Sequence, residues 1–268
     1  MSQLSASDVE LLLGESSVEA RAETVAKIAT DFDDGHMDDS ARKIAEDIFR
    51  LLARDVEVRV RKALSENLKE SRVVPHDVAL ILANDVIEVA EPLLRSSQVL
   101  TDEDLIEIVR TQPMTSLAAV AQREIVAEAV SEALVDNGDA EVVVTLISNK
   151  GAEVSESTFE KVLDEYPEND LVKESVAHRE RLPIRLAERL VTMVSARLQD
   201  HLVSHHELSP DIAAGVISQS REKATLELLN PESSAVDVED LVEQLDTNKR
   251  LTPTIILRAI CTGDIAFF

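Results

Sequence analysis

The sequence has no tryptophan, one tyrosine, five phenylalanines, one cysteine and six glycines in 268 residues. Strands favour aromatic side chains and tight turns favour glycine, so a β-sandwich is poorly supplied on both counts. The lone Cys261 rules out an intramolecular disulfide, and a thiolate zinc site needs more cysteines than one. No two glycines lie within six residues of each other, which excludes a glycine-rich phosphate loop. No run of about 18 apolar residues is present. The opening MSQLSASDVELLL has neither a basic n-region nor a cleavage pattern. These absences lead to the expectation of a cytoplasmic protein.

Positive charge is scarce as well. Lys and Arg total 27 against 52 Asp and Glu, a net charge of −25. Such a surface repels phosphate backbones and anionic lipid at long range, so the expected partner is neither nucleic acid nor membrane. What is abundant is aliphatic material. Hydrophobic residues make up 44% of the chain, and Leu, Val, Ile and Ala must fill the core. That suits helix packed on helix, where medium-sized side chains interdigitate with axes about 8–10 Å apart.

Helical periodicity runs through nearly the whole chain. Ser7, with Glu10 at capping-box spacing, opens a short helix ending near Gly14. Further helices are expected over about 18–32, 38–54, 56–69, 76–83, 86–97, 102–111, 114–123, 125–136 and 140–149. After Gly151 they lengthen, over about 155–166, 170–178, 183–205, 210–229, 238–245 and 252–261. Ile44, Ile48, Leu51 and Leu52 define one apolar stripe, and Val60, Ala63, Leu64 and Leu68 the next. Pro75, Pro113, Pro183, Pro210 and Pro253 all stand where a helix begins. Asn230-Pro231-Glu232-Ser233-Ser234 is the most linker-like stretch, so the expected division is a domain over 1–229 and a C-terminal helical segment over 230–268.

Short helices joined by short turns make antiparallel neighbours. Leu52-Ala53-Arg54-Asp55-Val56 recurs thirty residues on as Leu82-Ala83-Asn84-Asp85-Val86, each copy closing one helix and opening the next. A pair that cannot bury its own apolar face must stack on another. The fold expected is all-α, an α-solenoid of stacked antiparallel helix pairs.

Asp55-Val56-Glu57-Val58-Arg59-Val60-Arg61-Lys62-Ala63-Leu64 resembles the second-helix signature of HEAT-like repeats. The resemblance implies an Asp–Arg ladder between adjacent repeats. The i,i+4 spacing of Asp55 and Arg59 also permits a plain intrahelical pair, and the second copy keeps Asp85 but has Val89 in place of the arginine. The stretches from Leu82 to Leu94 and Leu100 to Ile106, and the ending from Arg250 to Phe268, resemble an uncharacterised bacterial family of HEAT-like proteins, a domain of unknown function. That resemblance implies the fold and no activity. It also implies that such chains continue past Phe267-Phe268, so the C-terminal segment is expected to be cut short.

Candidate sites are few. His201 and His205 share a helix face at i,i+4 beside His206, a spacing that zinc helices use. The pattern lacks a Glu after the first His and has no evident distant ligand, so a solvated helix end is the plainer account. Asp31-Phe32-Asp33-Asp34-Gly35 fails the register of a calcium loop and reads as an acidic turn whose Asp38 or Asp39 starts the next helix. Arg59, Arg61 and Lys62, and further on Arg185 and Arg189, stand out against the acidic background as contacts for an acidic or phosphorylated partner or a second copy of the chain. The alternative is that they pair with acids of neighbouring repeats. No catalytic constellation or cofactor motif is present in the sequence pattern. The function expected is a non-catalytic protein–protein interaction scaffold or adaptor. A base glycosylase on the same frame would need a basic groove and stacking aromatics, both scarce here.

Overall fold

A computed structural model of the chain describes residues 17–35, 37–179, 182–206, 209–228 and 235–262. Among these residues lie fifteen helices and no strand, so the protein is all-α. Two compact units divide the chain, Met1–Thr158 and Phe159–Phe268. The first holds α1 (Val18–Asp33), α2 (Asp39–Leu52), α3 (Val58–Leu68), α4 (His76–Ala83), α5 (Ile87–Ser96), α6 (Asp102–Thr111), α7 (Met114–Ala121), α8 (Glu128–Asn137) and α9 (Ala140–Ser148). Helix α10 (Glu156–Glu165) runs across the division. The second unit continues with α11 (Asp170–Ala177), α12 (Ile184–His206), α13 (Pro210–Glu227), α14 (Ala235–Thr247) and α15 (Pro253–Thr262). The short helix expected near Gly14 and the linker at 230–234 lie outside the described residues.

Local chemistry sets the helix starts. Ser17, Asp38, Thr101, Asp139 and Asn169 each accept a backbone N–H of the following turn, and Thr101 with Asp104 completes a capping box. Pro75 and Pro113 stand immediately before α4 and α7, where their missing N–H costs nothing. Helix α8 begins three residues later than the apolar pattern suggests. The Val126 N–H donates to the Gly151 carbonyl at 3.1 Å, and the Val126 carbonyl accepts from Glu153 at 2.9 Å, forming a parallel bridge to Ala152. Gly151 is required there, because a Cβ would stand 1.8 Å from the Glu124 carbonyl oxygen.

In the first unit the odd helices pack on one another in succession, α1 on α3, α3 on α5, α5 on α7 and α7 on α9. Each from α3 onward also packs against the even helix before it, and α6 packs on α8. The contact between successive odd helices from α3 to α9 is mainly aliphatic. Val60, Leu64 and Leu68 of α3, Val89, Leu93 and Leu94 of α5, Leu117 and Val120 of α7, and Val142, Val143 and Leu146 of α9 are buried. The stripe expected on α2 needs correction. Ile44 and Leu51 are 50% and 65% exposed, whereas Ala45, Ile48, Phe49 and Leu52 are buried. Phe49 decides the rotation, its ring meeting Phe32 edge-on at 5.2 Å between centroids. Ala63 is half-buried.

In the second unit α12 packs on α11, α13 and α14, and α13 packs on α15. Leu186 and Leu190, Ala213 and Ile217, Leu241 and Leu245, and Ile255 and Ala259 supply its interior. One buried ion pair joins these helices. Glu188 of α12, 1% exposed, receives the Arg250 guanidinium, which also reaches Thr192 of α12 and Thr225 of α13. Burial pushes the Arg250 pKa down, and the Glu188 carboxylate supplies the paired charge that such a site needs.

The corrected stripe has a direct test. Phe49→Ala is expected to cost about 3–5 kcal/mol of unfolding free energy, and Leu51→Ala less than about 0.5 kcal/mol, in denaturant titration. Similar losses at the two positions would restore the stripe read from the periodicity.

Candidate functional site

The basic residues singled out in the sequence are drawn into the stack to different degrees. Arg61 donates to Asp85 at 2.8 Å and to the Asp55 carbonyl at 2.7 Å, with its side chain 15% exposed. Arg59 meets Glu19 at 2.9 Å but remains 74% exposed. Lys62 is exposed on the same helix. Arg185 reaches Asp240 and Glu243, both at 3.0 Å, and Arg189 reaches Asp164. Arg61 is therefore an internal tie between hairpins. The carboxylates that hold these cations come from other helices or, for Asp85, from the turn before α5, so local sequence does not reveal them.

An Asp–Arg relay does run between hairpins, with cations from other positions than the resemblance implied. Asp55 receives Arg21, not Arg59, at 3.2 Å, and Asp85 receives Arg61. Burial alone would raise the Asp85 pKa, but the Arg61 guanidinium and the Val86 N–H outweigh it and hold the carboxyl below the usual range. Arg50 clamps Asp77 at 2.8 and 3.3 Å, and His76 meets Asp104 at 2.7 Å.

The opposite edge is tied by residues that the sequence reading passed over. Ser71, Ser97, Arg123 and Asn149 recur every 26 residues, each just past an odd helix. The Arg123 guanidinium donates to the Leu94 and Ser97 carbonyls, each at 2.6 Å, satisfying the exposed end of α5. Asn149 does the same for α7, donating to the Ala121 and Arg123 carbonyls at 2.9 and 2.7 Å. Ser71 reaches back to Asp33 at the end of α1. A search for polar residues at constant offset just past the apolar runs would have found this series.

Among the described residues an open groove of about 560 Å³ lies between α11 and α12. Helix α11 contributes Asp170, Lys173, Glu174 and Ala177, one face at i, i+3, i+4 and i+7. From α12 come Leu190, Val194, Arg197, Leu198 and His201. Leu190 is buried, while Val194 and Leu198 are 55% and 47% exposed and form an open aliphatic floor. Asp170 binds Lys173 at 3.2 Å and also holds Arg197 across the groove. The Lys173 hydrogen bond, aided by Arg197, sets the Asp170 carboxyl below its ordinary pKa. Charged groups at the edge and aliphatic carbons on the floor match an amphipathic helix. His201 lies on this wall, whereas the side chains of His205 and His206 lie outside the described residues. Among the described residues no three His, Cys, Asp or Glu side chains are placed to hold a metal ion, and no helix is long and apolar enough to cross a membrane.

A family model described as an uncharacterised protein conserved in bacteria (DUF2336) matches residues 89–268. Neither the curated proteins nor the solved structures hold a match. The matched segment begins inside α5, one helix of the continuous succession from α1 to α9.

The Arg61–Asp85 pair makes two measurable claims. Arg61→Ala should cost about 2–3 kcal/mol at neutral pH, because it strands a partly buried carboxylate. Since folding lowers the Asp85 pKa, its contribution is complete above the ordinary carboxylate range and vanishes as pH falls through the folded value. Stability measured by denaturant titration should thus decline below about pH 4, and less steeply in Asp85→Asn. Identical acid slopes for the two proteins would rule out this contribution.

Proposed function

We propose that the chain, which belongs to the DUF2336 family, is a non-catalytic cytoplasmic scaffold that holds an amphipathic helix of another protein in the α11–α12 groove. The observation that carries this reading is the pair Val194 and Leu198, half-exposed on the floor of a cleft whose edge bears Arg197, Asp170 and Glu174, with Lys173 buried beneath Asp170. Helix α12 has 23 residues and α11 has 8. At about 1.5 Å per residue the longer helix outruns its neighbour by some 20 Å, room beside it for several turns of a guest helix. Apolar anchors inside a polar border are the usual anatomy of such contacts.

The frame itself supports the reading. Odd helices stacked two apart in sequence, with polar ties along both edges, favour a HEAT-like arrangement for the first unit, in which each hairpin shields its neighbour and outer surfaces stay available. The charge of −25 argues against a nucleic-acid ligand. Arg59 and Lys62 remain a second, smaller contact surface on α3. Arg61 is excluded from it by its bond to Asp85.

Leu198→Asp and Val194→Asp are expected to abolish recovery of a co-purifying protein from the native cell. Because both side chains are already half-exposed, far-ultraviolet circular dichroism and thermal midpoint should be unchanged. Undiminished recovery with both variants folded would reject the groove as the docking site.

A further inference from the structure

Over residues 212–220, between Asp211 and Arg221, helix α13 turns an uncharged face to solvent. Ile212 and Val216 are 58% and 55% exposed, while Ala213 and Ile217 on the other side are buried in the unit. Gly215 and Gln219 fall on the outer face by the helical period, between and beyond the two apolar residues. The glycine stands out. Only proline is less favourable than glycine in a helix interior, and a Cβ at Gly215 would meet nothing within 4 Å. Nothing among the described residues requires it, whereas close approach of an external backbone would. Charge singles out the same region. Residues 212–220 carry no charge at all in a chain of net charge −25. A second, equally acidic molecule meets least repulsion there.

We propose that α13 is a self-association face. The helix of one copy crosses that of a second about a two-fold axis, with Gly215 at the crossing and Ile212 and Val216 packed beside it. An identical copy suits this face because it brings the same uncharged patch over 212–220, bordered by Asp211 and Lys223, and makes the contact self-complementary. A basic partner would gain more from the exposed acids of α6 and α8, Asp102, Glu103, Glu107, Glu128 and Glu132. One helix pair covers less than the roughly 1,600 Å² of a standard interface, so the dimer is weak and reversible.

Sedimentation of the full chain over a concentration series, in low and high salt, tests this. The expected result is a monomer–dimer equilibrium that tightens as salt screens the net charge. Val216→Glu should weaken it by more than about tenfold. Gly215→Ala separates the alternatives, since an added methyl on a free face raises helix stability and leaves mass unchanged. At a close crossing it raises the thermal midpoint of the monomer and weakens the dimer. A monomer at every concentration and salt, or a dimer indifferent to both substitutions, overturns the proposal.

Discussion

Short aliphatic helices cannot bury their own apolar faces, and every other feature of the first unit answers that constraint. With no tryptophan and few other aromatics, no single side chain can anchor a core. Burial has to come from repetition, one odd helix laid on the next from α1 to α9. Aliphatic packing of this kind specifies position weakly, since Leu, Val and Ile slide past one another at small cost. The polar ties supply what the spine lacks. Arg21–Asp55 and Arg61–Asp85 fix one edge, and Arg123 and Asn149 fix the other by taking up helix-terminal carbonyls. A slipped hairpin would strand those groups, and a stranded buried polar group costs more than its bond returns.

The second unit handles the same problem with longer helices and one interior charge pair. Glu188 and Arg250 are expensive to bury and therefore strict about geometry, which holds α12, α13 and the turn before α15 in one arrangement. Val194 and Leu198 of α12 stand open beside the shorter α11. The groove and the outer face of α13 are separate surfaces of one well-fixed helix pair.

Helix existence was legible because the signals are local. Caps at Asp38 and Thr101 and prolines before α4 and α7 act within one turn, and α4 and α6 span the expected residues. Facing was less legible. The periodicity of α2 allows a stripe through Ile44 and Leu51 as readily as one through Ala45 and Phe49, and contact with Phe32 on another helix makes the choice. The bridge that delays α8 depends on Gly151, some 25 residues away. For the same reason the basic residues looked more available than they are. Their carboxylate partners sit on other helices or in the turn before α5, some 24 to 58 residues distant in sequence. The groove was not legible at all, because it arises from the pairing of α11 with α12 and from no motif within either.

Native-state hydrogen exchange on Leu64→Ala is the most direct measurement of the central claim. If hairpins of the first unit are shielded chiefly by their immediate neighbours, protection falls most in α3, then in α1 and α5, and least in α9. Loss confined to α3, or protection in α9 falling as far as in α1, would contradict the account.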